Sequence, residues 1–436
     1  MIKKYNTLLK YSKEILFVLF GQISVVVGSI VGLKVLTTYL NPAEFGEITL
    51  SLTITVFINQ LIFGPLTNSV TRYYAKAQKR KSLKNYFQSI FDLSTKSGVL
   101  ILILCLISLI TLVIFKQNKL ILIVLITLSY SFIIGLNSML NGVQTAARNR
   151  SIVAISQGSV VWLRFIFGII LFLFIFRSTS FVLLGYLIAS IIVLIFQLKS
   201  FVNRNAPLQD FSINLKLKET DVWQKRLLNY SLPFTYWGLF TWALLSSDKW
   251  ALQFFGSLKE VGLYSALYQF GFGPLLLLNS FLDQFIAPLV FERISKNSNN
   301  REMRKIVFWF VFKISGIVLS LMVLVSSVLF VFHDSVFSLF VGKNYVISAY
   351  LLPYIWLAGT FFCTGQLMTI YIYAIKTSKA LLNIKIFNSI LGISLNFLGA
   401  CYFGINGIII ALLITNFLYL LSVFRLSYSI KTESFF

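Results

Sequence analysis

The sequence contains little charge, one histidine and few cysteines. Charged residues make up 12% of the 436 residues, against roughly 25% in a soluble domain. The single histidine, His333, leaves no histidine cluster for metal binding or general-base chemistry. The three cysteines, Cys105, Cys363 and Cys401, all lie inside apolar runs, which excludes a disulfide framework and a zinc site. No metal or cofactor is expected.

Apolar residues are abundant instead. They make up 57% of the chain, and the mean hydropathy is +0.83, which excludes a soluble globular protein. The apolar runs are continuous and lack the alternation of a transmembrane β-strand, so the predicted fold class is an all-α integral membrane protein with twelve transmembrane helices. The spans are expected at about 15–37, 47–70, 88–114, 120–141, 152–175, 181–198, 229–254, 262–289, 307–331, 347–372, 382–402 and 405–425.

The basic residues indicate the orientation of the chain in the membrane. The net charge is +24, with 38 Lys and Arg. Alternate loops on the side of the N-terminus hold 27 of them, the opposite loops hold 5, and 6 lie in or at the ends of spans. Cytoplasmic loops carry such an excess, so we expect both termini to be cytoplasmic and no nucleic acid partner. The first apolar stretch lacks a cleavage site and is expected to be retained.

A long polar segment and a short repeat divide the chain into halves. The segment 201–227 predicts a cytoplasmic linker between an N-terminal six-helix lobe, 1–200, and a C-terminal six-helix lobe, 228–436. The first and seventh spans both lead into Glu, an apolar residue and Gly, at 44–46 and 260–262. Lobes in the same orientation imply a pseudo-two-fold axis along the membrane normal, which favours a transporter with a central cavity.

Three segments resemble a known family. They are FGQISVVVGSIVGLKVLTTYLNPAEFGEITL at 20–50, LNGVQTAARNR at 140–150 and LPFTYWGLFTWALLSSDKWALQFFGSLKEVGLYSALYQFG at 232–271. The chain resembles the bacterial oligosaccharide flippases of surface-polysaccharide synthesis, often called Wzx. That family belongs to the superfamily that also holds the multidrug and toxin extruders and the lipid II flippases.

The resemblance implies two six-helix bundles around a central cavity in the bacterial inner membrane. Its implied cargo is an undecaprenyl-pyrophosphate-linked oligosaccharide, moved from the cytoplasmic to the outer leaflet by alternating access. The end product would be O-antigen of lipopolysaccharide, capsule or exopolysaccharide. The partners implied are this lipid-linked oligosaccharide, membrane lipid, a coupling Na⁺ or H⁺, and the polysaccharide polymerase.

Cations inside the spans are the candidate substrate-binding residues, because a diphosphate crossing hydrocarbon needs compensation for lost water. A charge within a span costs about 3 kcal/mol, so each must face a wet cavity or reach an interface. Arg164 lies near the middle of its span, from which an interface is hard to reach. A cavity role and a structural role remain open for it and for the other five: Lys34, Lys96, Lys249, Lys313 and Lys385.

Acidic residues inside the spans are candidates for ion coupling. Asp283 and Asp248 either bind the coupling cation or form structural salt bridges. Asp92 and Lys96 have the i,i+4 spacing of a pair on one helix face. In the basic segment 72–81, Arg72 and Lys76 either hold the chain at anionic lipid or attract the headgroup to its entrance.

Two other functions remain open. A cation-coupled multidrug exporter on the same scaffold would need a less cationic path and a stronger acidic site. A membrane-embedded polysaccharide polymerase would need a catalytic loop with paired acids or clustered arginines, and none of the loops supplies one. The phosphate-binding motif G-x-x-x-x-G-K-[ST] is absent from the sequence, so ATP hydrolysis on such a loop is excluded and a non-enzyme is predicted.

Overall fold

The computed structural model describes the backbone of residues 2–204, 218–296, 301–375 and 379–432, and the side chains of 20–202, 221–294, 302–375 and 381–431. Within these ranges the chain is almost entirely helical and has no strand. The helices are α1 (Ile2–Tyr39), α2 (Pro42–Ile58), α3 (Gly64–Lys79), α4 (Leu83–Ile114), α5 (Asn118–Ala146), α6 (Arg150–Phe174), α7 (Thr179–Arg204), α8 (Lys218–Phe255), α9 (Leu258–Gly271), α10 (Gly273–Lys296), α11 (Arg301–Phe340), α12 (Leu352–Ile375) and α13 (Lys379–Thr432).

The helices account for the twelve predicted spans. Ten stretches of the described chain are long and apolar enough to cross a membrane. One of them, Leu381–Lys431, contains two spans, because α13 breaks at Gly404. The seventh span lies in α8, which begins with the polar residues 218–226 and is not among the ten. The predicted all-α, multi-pass membrane fold is confirmed. The middle of the predicted linker, 205–217, lies outside the described residues.

The break in α13 turns one long helix into two antiparallel arms. Gly404 has φ 55° and ψ −133°, a conformation open to glycine and strained for other residues. On either side of the break, Gly399 and Gly407 are so close that a Cβ on one would overlap the backbone of the other. Small residues let two backbones approach in this way, and the hairpin forms the eleventh and twelfth spans.

The described residues fall into two units. The first lies within Met1–Leu36 and Ile48–Trp242, and the second within Thr37–Glu47 and Ala243–Phe436. These ranges differ from the halves drawn from the sequence at two places. The turn 37–47 groups with the second unit, and the first half of α8 groups with the first, where Trp223 and Leu227 are buried in its hydrophobic core.

In the first unit, α1 and α6 pack through glycine. A Cβ added at Gly21 would lie 2.8 Å from Cβ of Ala154, and one at Gly28 would lie 2.9 Å from Val161 Cγ1. A Cβ at Gly32 would overlap the ring of Phe165. Without water between helices, such close approach is what binds them, and it fixes the register of α1 on α6.

The first half of α8 packs where α2 loses its regular hydrogen bonding. One π-helical turn, Asn59–Phe63, separates α2 from α3. The hydroxyl of Thr235 donates to the carbonyl of Leu61 at 3.0 Å, and the indole N–H of Trp242 donates to the carbonyl of Thr53 at 2.8 Å. Leu61 lies four residues before Pro65, which has no N–H, so the Leu61 carbonyl has no α-helical donor and accepts from α8 instead. The Thr53 carbonyl lies in α2, before the π-helical turn, and accepts from α8 as well.

The repeated Glu-x-Gly motif is a helix cap in both halves. Asn41 precedes α2, its side-chain oxygen accepts from the N–H of Glu44 at 3.0 Å, and the Glu44 carboxylate accepts from the N–H of Asn41 at 2.9 Å. Ser257 precedes α9 and accepts from the N–H of Glu260 at 3.3 Å. The first arrangement, with both hydrogen bonds, is a capping box. The second has only the hydrogen bond from the glutamate N–H to the side chain of the cap residue.

The glycines of the two motifs pack against each other inside the second unit. A Cβ at Gly46 would overlap the carbonyl oxygen of Leu258, and one at Gly262 would overlap the carbonyl oxygen of Pro42. Each would also lie 3.0 Å from the backbone nitrogen of the other glycine. The reciprocal contact explains why both halves carry glycine two residues after the glutamate.

The turn 37–47 is further held by the segment that precedes α12. Thr37 Oγ1 accepts from the N–H of Gly342 at 2.9 Å, and the hydroxyl of Tyr345 donates to the carbonyl of Leu40 at 3.1 Å. The rings of Phe45 and Tyr345 meet edge to face, 5.9 Å apart. Tyr345 is fully buried, so this turn is part of the interior of the second unit.

Candidate functional site

Arg164 lies half-buried on α6, in aromatic surroundings. Its guanidinium carbon is 4.6 Å from the ring centroid of Phe165 and 5.6 Å from that of Tyr186. Its Nε is buried and has no hydrogen-bond partner among the described residues. A guanidinium resting on ring faces keeps its charge and its donors. Arg164 therefore has one N–H that is unpaired among the described residues.

Lys249 is held by the residue beside it. Its ammonium lies 3.3 Å from both carboxylate oxygens of Asp248, and 5.5 and 4.7 Å from the ring centroids of Tyr264 and Tyr268. The hydroxyl of Tyr264 donates to Asp248 at 2.5 Å. We refer to these four residues, from α8 and α9, as the ion-pair cluster. Both charged residues are at least nine-tenths buried, and the pair carries no net charge.

Asp92 and Lys96 are joined through a third side chain. The ammonium of Lys96 donates to Gln224 Oε1 at 2.8 Å, and Gln224 Nε2 donates to Asp92 Oδ2 at 2.8 Å. Gln88 donates to the other oxygen of Asp92 at 3.0 Å. The sequence predicts the spacing of the two charges on α4 but not the carboxamide that bridges them, which comes from the polar start of α8.

Asp283 has one carboxylate oxygen without a partner. Its Oδ2 accepts from the amide of Asn279 at 3.2 Å. Its Oδ1 is buried and makes no hydrogen bond to any described residue. The buried Cys363 lies on the other side of Asn279, with its sulfur 4.0 Å from Asn279 Oδ1. The carboxylate of Asp283 therefore has bonding capacity left for a cation or a proton among the described residues.

The remaining candidate lysines differ in exposure. Lys385 is half-buried, with its ammonium 3.1 Å from the hydroxyl of Tyr373. Lys34 is half-buried near the end of α1, and Lys313 is exposed on α11. Lys34 belongs to the first unit, while Lys313 and Lys385 belong to the second.

The basic segment at the end of α3 contacts tyrosines. Arg72 is exposed, with its guanidinium carbon 4.4 Å from the ring centroid of Tyr230. Lys76 is exposed as well, and its ammonium is 5.9 Å from the ring centroid of Tyr73. The Tyr73 and Tyr230 rings meet edge to face, so α3 and α8 share an aromatic surface below these cations. The segment is helical to Lys79, so the helix continues beyond residue 70, the predicted end of its span.

No group of three or more His, Cys, Asp or Glu side chains placed to hold a metal ion occurs in the part of the chain that the structure describes. The polar side chains found above instead form separate small clusters, each within one unit. Their chemistry is that of hydrogen bonding and charge compensation.

The fold is that of known membrane transporters. An inward-facing multidrug resistance MATE family transporter of the MOP superfamily aligns with a TM-score of 0.65 at 16% identity, over 95% of this chain and 96% of its own. The lipid II flippase MurJ, in an inward closed conformation, aligns with a TM-score of 0.68 at 15% identity, over 96% and 87%. A Vibrio cholerae MATE transporter, VcmN, gives 0.61 at 16% identity, over 96% and 95%.

The sequence match identifies the family, which the shared fold alone does not. A model of the family described as "Polysaccharide biosynthesis protein" matches residues 12–294, which is more than half of the chain. This protein belongs to that family, and the match confirms the resemblance drawn from the sequence. No curated protein sequence is similar enough to count as a relative.

Proposed function

We propose that this protein is a flippase that carries a polyprenyl-diphosphate-linked oligosaccharide from the inner to the outer leaflet for surface-polysaccharide synthesis. The observation that carries the proposal is the match of residues 12–294 to the polysaccharide biosynthesis family. The fold shared with a lipid II flippase supports it. The cargo would move by alternating access through a cavity between two helix bundles, in the bacterial inner membrane.

Arg164 is the proposed contact for the diphosphate. A phosphate leaving water needs charge-assisted donors that are already in place. The aromatic rings beside Arg164 hold the guanidinium without neutralising it. Lys249 is a weaker candidate, because the carboxylate of Asp248 compensates its charge at 3.3 Å. Lys34, Lys96, Lys313 and Lys385 would add positive potential along the path, and Arg72 and Lys76 would attract the headgroup to its entrance.

Asp283 is the proposed site for a coupling cation, either Na⁺ or H⁺. Binding requires a carboxylate oxygen without a donor already on it, and Asp283 Oδ1 meets this requirement among the described residues. Asp248 accepts from Lys249 and from Tyr264, so it has less capacity for an ion. Intramembrane acids of this kind commonly mark ion paths.

The test is the location of the lipid-linked repeat unit in cells. Deletion should cause repeat units to accumulate on the inner leaflet, and the wild-type gene should restore their transfer. Arg164→Lys should restore transfer in part, Arg164→Ala weakly and Arg164→Glu not at all. Equal rescue by Ala and Glu would contradict the role of Arg164. Normal transfer with failed chain elongation would point to a polymerase and contradict the flippase.

A cation-coupled drug exporter is the second candidate, favoured by the fold shared with two MATE transporters. It predicts that deletion changes resistance to cationic drugs and leaves repeat units distributed normally. Because Arg164 would repel a cationic drug, Arg164→Ala should raise export under this alternative and lower transfer under the proposal. The two functions therefore give opposite results for one substitution.

A further inference from the structure

A polar pocket lies at the N-terminal end of α6. Its volume is about 160 Å³, and it is lined by residues of α1, α5 and α6: Gly21, Gln22, Thr145, Arg150, Val153, Ala154 and Gln157. This is room for about five water molecules, which suits a single phosphate group. All lining residues belong to the first unit.

The chemistry of the lining favours an anion. It supplies one guanidinium, two carboxamides and one hydroxyl, from Arg150, Gln22, Gln157 and Thr145, and none of the lining residues carries a carboxylate. These four side chains are exposed and make no hydrogen bond to another described residue. Charge-assisted donors combined with neutral donors are the usual surroundings of a phosphate.

In the segment 140–150, several polar residues and a glycine have structural contacts, whereas the side chains of Thr145 and Arg150 do not. Asn141 accepts a hydrogen bond from Ser156 at 2.9 Å, and Gln144 accepts one from Asn149 at 2.7 Å. Gly142 packs against α3, because a Cβ there would lie 2.8 Å from Cγ2 of Thr67. The side chains of Thr145 and Arg150 make no hydrogen bond within the described ranges, and both line the pocket.

The pocket also lies on the helix face that leads to Arg164. Arg150, Gln157 and Arg164 are spaced by seven residues, so they fall on one side of α6. Fourteen residues of helix span about 21 Å. Arg150, Gln157 and Arg164 thus lie at three levels along one face of α6, with Gln157 halfway.

We propose that this pocket is a loading site for a phosphate-bearing headgroup, which passes from Arg150 and Gln157 to Arg164. As a loading site it rests on the proposed flippase function. The headgroup of the lipid cargo is the assigned occupant. A bulk anionic lipid and free phosphate share its chemistry and are separated by the test.

The test is binding of labelled undecaprenyl phosphate to the full chain in phosphatidylcholine nanodiscs. Arg150→Gln should weaken binding about tenfold, because it removes a charge-assisted contact, and Gln157→Leu should weaken it by a smaller factor. The matched control is Arg148→Gln, which removes the same charge from an exposed arginine two residues away that does not line the pocket. It should change binding less than twofold. Equal effects of the two arginine substitutions, or none from either, would overturn the site.

Competitors identify the source of the phosphate. Excess phosphatidylglycerol or inorganic diphosphate should displace the probe far less well than unlabelled undecaprenyl phosphate. Equal displacement by either would overturn the assignment to the cargo lipid.

If Arg150→Gln lost binding while leaflet transfer in cells stayed normal, the loading role would fail and the flippase would stand. If the wild-type protein bound the probe but deletion of its gene left repeat units evenly distributed between the two leaflets, the flippase function would fail and the phosphate site would stand.

Discussion

The role of Lys249 depends on the carboxylate beside it. As a cation inside a span it is a candidate for binding an anionic substrate, yet the structure surrounds it with Asp248 and two tyrosine rings. A buried pair with good geometry is costly to break and inexpensive to remove as a whole. The ion-pair cluster is therefore expected to act as one unit in stability.

Removing one partner of the cluster should cost more than removing both. Asp248→Ala leaves the Lys249 ammonium buried and uncompensated, which should destabilise the protein by about 3–5 kcal/mol. The double variant Asp248→Ala with Lys249→Met should recover most of that loss. Thermal unfolding of the purified protein in detergent measures both.

Tyr264→Phe tests the third member of the cluster. It retains the ring beside Lys249 and removes the hydroxyl that donates to Asp248 at 2.5 Å, so the expected loss is about 1.5–3 kcal/mol. A double variant as unstable as Asp248→Ala alone would contradict the coupling.

The sequence predicts which charges lie in spans and does not predict what surrounds them. Arg164 is identified by its position in the middle of an apolar run. Tyr264, in contrast, reaches Asp248 only because the turn after α8 brings α9 back alongside it, 16 residues later. Gln22 lies within an apolar stretch of α1, and only the close packing of α1 on α6 places it at the rim of the pocket.

At the scale of the helix, the repeated motif combines a cap and a contact. The cap residues Asn41 and Ser257 satisfy backbone donors at the starts of α2 and α9. The glycines two residues after each glutamate allow the two turns to meet.

Substitution of the paired glycines tests the contact. Gly46→Ala or Gly262→Ala would place a methyl group on a backbone carbonyl oxygen, and overpacking of this kind costs about 1–3 kcal/mol. Gly316→Ala on α11 is the control, because a Cβ there meets nothing within 4 Å. A compatible Gly→Ala change should stabilise by about 0.4–1 kcal/mol. Unfolding temperatures that move in the same direction for both kinds of variant would exclude the glycine contact.

Removal of the caps should have a smaller effect. Asn41→Ala and Ser257→Ala should each destabilise by about 1 kcal/mol, since each leaves a helix donor without its side-chain acceptor. Thr241→Ala on α8 is a control, because its hydroxyl donates within the same helix, to the carbonyl of Trp237. Unfolding temperatures unchanged relative to this control would contradict the capping roles.

At the scale of the whole molecule, the predicted orientation can be measured. Lys81 and Lys116 are exposed lysines with φ 54° in the turns before and after α4. The 32 residues of α4 span about 48 Å, more than the hydrocarbon core. In a variant without the three native cysteines, Lys116→Cys should react with an impermeant thiol reagent in intact cells, and Lys81→Cys only after permeabilisation. The reverse pattern would show the positive-inside prediction to be wrong.

The twelve spans were predictable because hydropathy over about 20 residues is set by the bilayer. The assignment of helices to units was not, since it depends on contacts between distant segments. The start of α8 lies within the predicted linker 201–227, yet Trp223 is buried with Tyr86 in the first unit. The polarity of a segment predicts that it lies outside the membrane. Its packing contacts determine which hydrophobic core it belongs to.

The chain passes between its two units at three points, 36/37, 47/48 and 242/243. In a chimera made by exchanging everything after the predicted linker 201–227, the transplanted second unit would pack on the host's turn 37–47. The host's first unit would receive the foreign residues 228–242, which include Thr235 and Trp242. Crossover at 242/243, with 37–47 transferred as well, retains both native interiors. Recombination among relatives is expected to have been tolerated at those junctions more often than in the linker.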